Sequence, residues 1–62
     1  MQVLRIFVII PFNLSNGGER EFFTDLAKVV QDQDVALMIE KDFNRVYDDC
    51  VVLESVLGFE AP

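Results

Sequence analysis

Val3-Leu4-Arg5-Ile6-Phe7-Val8-Ile9-Ile10 is a β-branched and aromatic run, broken only by Arg5 and closed by Pro11, and it predicts a strand. Leu4, Ile6, Val8 and Ile10 fall on one face of that strand. Val3, Phe7 and Ile9 fall on the other, so both faces call for cover, as in a sheet packed on two sides. Pro11 to Gly18 is a connection rich in Asn, Ser and Gly. It leads into a helix expected from Gly18 or Glu19 to about Gln31, with Phe22, Phe23, Leu26, Val29 and Val30 as an apolar stripe at three- and four-residue spacing. Glu19 and Glu21 then favour the positive end of the helix dipole, and Asp25 pairs with Lys28 on the wet side.

Gln31-Asp32-Gln33-Asp34 reads as a polar turn before a second short strand, Val35 to Ile39. Asp42 is placed to cap a second helix, along which Phe43, Val46, Tyr47, Cys50, Leu53 and Leu57 recur at helical spacing, with Gly58 as its stop. Arg45 and Asp49 fit it as a pair four apart. The weak point of that helix is Cys50-Val51-Val52-Leu53, which is of strand composition and offers a third strand as the alternative. The expected fold is therefore a small α/β module, β-α-β-α, with a two-stranded parallel sheet joined by a right-handed crossover. Two parallel strands leave much surface bare. A second copy that extends the sheet or shares its core is the simplest completion, so a homo-oligomer is expected.

Sixty-two residues suggest one domain, residues 1–62, near the lower limit for folding without disulfide, metal or partner. A hydrophobic share of 52%, with six Phe, is nevertheless too high for a disordered chain. A formal charge of −6 argues against a surface that neutralises phosphates, so neither nucleic acid nor an anionic membrane is an expected direct partner. The first apolar run is too short to span a bilayer and lacks the leader and cleavage site of a signal peptide. With Cys50 as the single cysteine, a reducing, cytoplasmic setting is expected.

The absence of histidine removes the commonest general base and metal ligand, and one cysteine cannot complete a familiar zinc site. Cys50 is expected to be shielded by Tyr47 and Leu53. Asp48 and Asp49 would diverge by about 100° on a helix, and Asp32 and Asp34 lack the spacing of a calcium loop. No catalytic residue, metal site or cofactor site is assigned, and no enzyme activity is expected. Asn16-Gly17-Gly18 sits where nucleotide-binding folds keep a phosphate loop, but the third glycine and a following Lys are missing.

Val8-Ile9-Ile10-Pro11, Gly17-Gly18-Glu19, Leu26-Ala27 and Val35 together resemble the opening βαβ unit of GT-B glycosyltransferases of the family-four type, over Val3 to Ile39. The resemblance implies a Gly-Gly loop beside an acceptor cleft and a sugar nucleotide held mainly by a second domain. The chain lacks that domain, the usual Ala after Gly-Gly, and the His for which Asp34 stands. It would be a non-catalytic fragment of such an enzyme.

Elimination and charge instead favour a small acidic protein-binding modulator, an inhibitor or adaptor that meets a basic surface on a larger protein such as a nucleic-acid enzyme. Such proteins resemble those phages make against host enzymes, with DNA mimicry as the sharpest version. Its contact residues would be Glu19, Glu21, Asp25, Asp32, Asp34, Asp48 and Asp49, all expected to be exposed. The alternative is a structural or assembly subunit of a homo-oligomer or complex.

Overall fold

A computed structural model describes the chain from Gln2 to Phe59. It is a mixed α/β fold built on a four-stranded antiparallel sheet with one helix. Strand β1, Gln2–Leu14, is the long central strand. Strand β4, Asp49–Phe59, pairs with it antiparallel from Gln2↔Phe59 to Phe12↔Asp49. The other edge of β1 is shared by two short strands, β2 (Arg20–Phe22) at its far end and β3 (Lys28–Val30) at its middle. A single 3-10 turn, Thr24–Leu26, lies between them, and helix α1, Gln33–Val46, joins β3 to β4.

The first strand forms where its composition places it but runs on past Pro11. Proline inside a central strand is normally excluded because it cannot donate to the ladder. Here the carbonyl of Pro11 accepts from the Phe23 amide at 2.9 Å, and in extended chain a residue's nitrogen and oxygen point to the same side. The missing N–H therefore faces the gap between β2 and β3. At that gap two residues of β1, Ile10 and Pro11, stand opposite the five from Phe23 to Ala27, so the ladder is already broken.

The two-stranded β-α-β-α arrangement is corrected in three places. The expected helix of residues 19–31 is β2, the 3-10 turn and β3. Val35 to Ile39, expected as a strand, lies inside α1. The expected second helix ends at Val46, and Cys50 to Leu57 belong to β4, which is the alternative that strand composition offered. Asp32, not Asp42, caps the helix, its Oδ1 accepting from the amides of Asp34 at 2.7 Å and Val35 at 3.3 Å. A parallel strand–helix–strand crossover does exist. It is β3-α1-β4, two strands that each run antiparallel to β1 and so parallel to one another with β1 between them.

The helix covers one face of the sheet. Phe7 and Ile9 of β1 are buried against Ala36, with Val30, Ile39, Phe43 and Cys50 packed around them. Tyr47, the helix C-cap, stacks at 5.3 Å on Phe23 and meets Phe43 edge-on at 5.8 Å, which fixes the helix end over the 3-10 segment. Pro11 is also fully buried, and Phe12 closes the far end beneath Phe22 and the Arg20 guanidinium, at 5.3 and 5.1 Å. This is a small core for 62 residues.

Candidate interaction surface

Side chains alternate across a strand, so the register sorts every residue to a face. Phe7 and Ile9 point at the helix, with Glu54 and Val52 opposite them on β4 and Val30 and Lys28 opposite them on β3. Leu4, Ile6, Val8 and Ile10 of β1 point to the other side. Their partners on β4 are Leu57, Ser55, Leu53 and Val51, and Val29 lies opposite Val8 on β3. Among the described residues no element packs over this second face between Leu4 and Ile10, and Leu53, Leu57 and Val29 are 55%, 51% and 63% exposed. From Leu4 to Ile10 the face carries no charge, and Ser55 is its one polar side chain. The charged residues Arg20 and Asp49 stand at its far end, beyond Ile10.

The seven candidate acids are all exposed, as expected, but their settings differ from the expected ones. Glu19 and Glu21 belong to the hairpin end and β2, and Asp25 to the 3-10 turn. Asp32 is the helix cap, and Asp34 sits in the first turn, where it complements the dipole. Asp48 and Asp49 are not on a helix. Asp48 Oδ2 accepts from the Leu14 amide at 2.7 Å while the Asp48 amide donates to Asn13 Oδ1 at 2.9 Å, a reciprocal clasp between the end of β1 and the start of β4. Asp49 Oδ1 accepts from the Cys50 amide at 2.8 Å on the sheet's outer edge. The seven acids are thus scattered over the hairpin end, the 3-10 turn, the helix start and the clasp. Neither expected ion pair is among those the described residues form: Asp25 and Lys28 are not paired, and Arg45 pairs with Asp42 at 3.8 Å rather than with Asp49, while a bridge that was not expected joins Arg5 to Glu54 at 3.1 Å across β1 and β4.

On the helix side an open groove of about 190 Å³ lies between α1 and β4, with Phe7 and Val52 in its floor and Glu40 and Glu54 on its walls. Glu54 is held by Arg5, so the two carboxylates form no converging pair with a nucleophile or base between them. Cys50 is half-buried beside this helix, its Sγ 3.9 Å from Asn44 Oδ1. Burial pushes its thiol above the ordinary value, and the negative charges of Glu40 and Asp49 add to the rise. Among the described residues no group of three or more acids or cysteines is placed to hold a metal ion, and no helix is long and apolar enough to cross a membrane.

The Asn16-Gly17-Gly18 segment is a tight hairpin turn, not a phosphate loop at a helix start. The Gly18 amide donates to the Ser15 carbonyl at 2.9 Å, and Gly18 takes φ +81°, which its lack of a side chain permits. The βαβ unit that carried the likeness to GT-B enzymes is not formed over Val3 to Ile39. No protein-family model, no curated protein and no solved structure matches this chain. By fold and surface it is an antiparallel α/β module with one covered and one bare sheet face.

Proposed function

We propose that this chain is a non-catalytic assembly module that works by burying its bare sheet face against another protein surface. The observation that carries this is the uncharged face of β1, β3 and β4, apolar except at Ser55. Monomeric proteins rarely expose apolar patches beyond a few hundred Å², and larger ones mark interaction sites. The chain places its charges elsewhere, on the helix, the hairpin and the clasp. The lone, half-buried Cys50 fits a reducing, cytoplasmic setting.

A photo-reactive residue, benzoyl-phenylalanine, introduced at Leu53 in the native host tests this. Illumination is expected to give a covalent product from Leu53 and none from the same probe at Met38 on the outer side of α1. Products from Met38 alone, with Leu53 silent in a folded chain, overturn the reading. That outcome favours the second reading, an acidic inhibitor or adaptor for a basic partner, which the exposure of Glu19, Glu21, Asp25 and Asp34 supports; among the described residues none of these four side chains makes a hydrogen bond.

A further inference from the structure

Strand β4 is an edge of the sheet. It pairs with β1 along one side, and among the described residues no other strand pairs with it. Pro11 turns its backbone to β2 and β3, so Phe12, Ile10 and every second residue back to Leu4 turn theirs to β4. Their partners Asp49, Val51, Leu53, Ser55 and Leu57 face inward in return. The amides and carbonyls of Val52, Glu54, Val56 and Gly58 therefore point outward, beside a Cys50 amide that Asp49 Oδ1 takes up. Among the described residues nothing accepts from those four amides.

An edge of this kind is a template for a further strand, and proteins normally blunt it with lysine, proline, a bulge or short length. β4 has none of these devices: its pairing with β1 is unbroken from Asp49 to Phe59, whereas β2 and β3 have three residues each. Glu54 is the one charge between Val51 and Phe59. It disfavours an acidic strand and favours a basic one.

We infer that this edge binds an extended basic segment of another protein, added antiparallel as a fifth strand with a lysine or arginine opposite Glu54. Paired residues share a face, so that side chain points to the helix side. The groove of about 190 Å³ lies there, walled by β1, α1 and β4 and by nothing from β2 or β3, so it flanks the free edge. A lysine stem can lie over Val52 and Leu37 with its ammonium at Glu40, which has no ion pair among the described residues. Glu54 is bridged to Arg5, but both side chains are half exposed, and such a pair is weak enough to share its carboxylate. Charge complementarity therefore names the occupant, and β-branched residues suit the positions opposite Val52 and Val56. A second copy does not fit, since β4 carries no Lys or Arg and each chain is at −6. The added strand lengthens the bare face without covering it, so the site goes beyond the assembly reading and does not rest on it.

The probe is the peptide acetyl-Thr-Val-Thr-Lys-Thr-Val-Thr-amide, which has no charge at its ends and sets its lysine opposite Glu54. Titrated into the isotope-labelled whole chain and followed by NMR, it is expected to move the amide protons of Val52, Glu54 and Val56 downfield, as new hydrogen bonds require. Those of Leu53 and Ser55, already bonded to β1, should move far less. N-methylation of the peptide's second and sixth residues, whose amides face β4, is expected to abolish binding, and of its third and fifth to leave it intact. Glutamate in place of the lysine should weaken binding about tenfold. Glu40→Gln should weaken the lysine peptide about threefold. Equal affinity for the lysine and glutamate peptides overturns the inference, as do indifference to which amides are methylated and the absence of any alternating shift along β4 at millimolar peptide. The Leu53 photo-product reads the face and this titration reads the edge, so either proposal can fail while the other stands.

Discussion

Asp48 and Asn13 hold each other where the ladder between β1 and β4 runs out, each side chain accepting the other strand's amide. Hydrogen bonds to a charged acceptor contribute about 1.5–3 kcal/mol, reduced here by exposure. Asp48→Ala is therefore expected to cost about 1–2 kcal/mol in urea unfolding, and the double variant with Asn13→Ala less than the sum of the two. Charge reversal at Asp48 is expected to damage the fold as well, which its position at an assumed helix rim would not foretell. At Cys50 the raised thiol value keeps the neutral form. Reaction with a disulfide reagent at neutral pH is expected to be slow in the native chain and fast after denaturation, with the native rate rising only at a pH above that of a free thiol. The sign for stability follows: the neutral thiol's contribution is fully present below the ordinary value of 9.0 and is lost as pH climbs through the raised one. Fast labelling of the native chain at pH 7 would place the thiol outside the core.

Helix α1 depends on its cap. Asp32→Ala is expected to cost about 1 kcal/mol, a fall in Tm of roughly 4–8 °C for a domain of this size, while Asp42→Ala, in mid-helix and exposed, stays within about 0.5 kcal/mol. Equal effects at the two positions would deny the cap. The contrast also shows why this helix was hard to read. Leu37 and Met38 are apolar yet face outward, so they fill the side of the helix that should be polar and turn residues 35–39 into what looks like a strand. The helix-favouring run Ala36-Leu37-Met38 with Glu40-Lys41 and the cap at Asp32 were the available signals. In β4 the fault is the mirror image. Both faces of the strand are apolar, so alternation vanishes, and the spacing of Cys50, Leu53 and Leu57 imitates a helix although Val51 and Val52 are β-formers. Phe22, Phe23, Leu26, Val29 and Val30 mimic a helical stripe because two three-residue strands flank a 3-10 turn. Only β1 was long and uniform enough to be legible, and with it half of the bare face, Leu4, Ile6, Val8 and Ile10. The half on β4 stayed hidden behind the assumed helix.

At the scale of the molecule, an elongated body of 52 × 21 × 15 Å carries its net charge of −6 around an apolar face. This sets different salt dependences for the two ways in which the chain can act. An acidic surface steering toward a basic partner, the edge of β4 included, loses affinity as salt screens the attraction. A contact through the uncharged face contains no ion pairs to weaken. Sulfate should strengthen that contact, since excluded salts favour apolar burial. Across a sodium chloride series from low to about 0.5 M, beyond the point at which the Debye length falls well below 10 Å, the yield of the Leu53 photo-product in host lysate is expected to stay level while the lysine peptide's affinity for β4 falls. A Leu53 product that is lost steadily with added chloride would mean that ion pairs hold the partner, and the contact would then belong to the charged surfaces of α1 and the hairpin instead of the bare sheet.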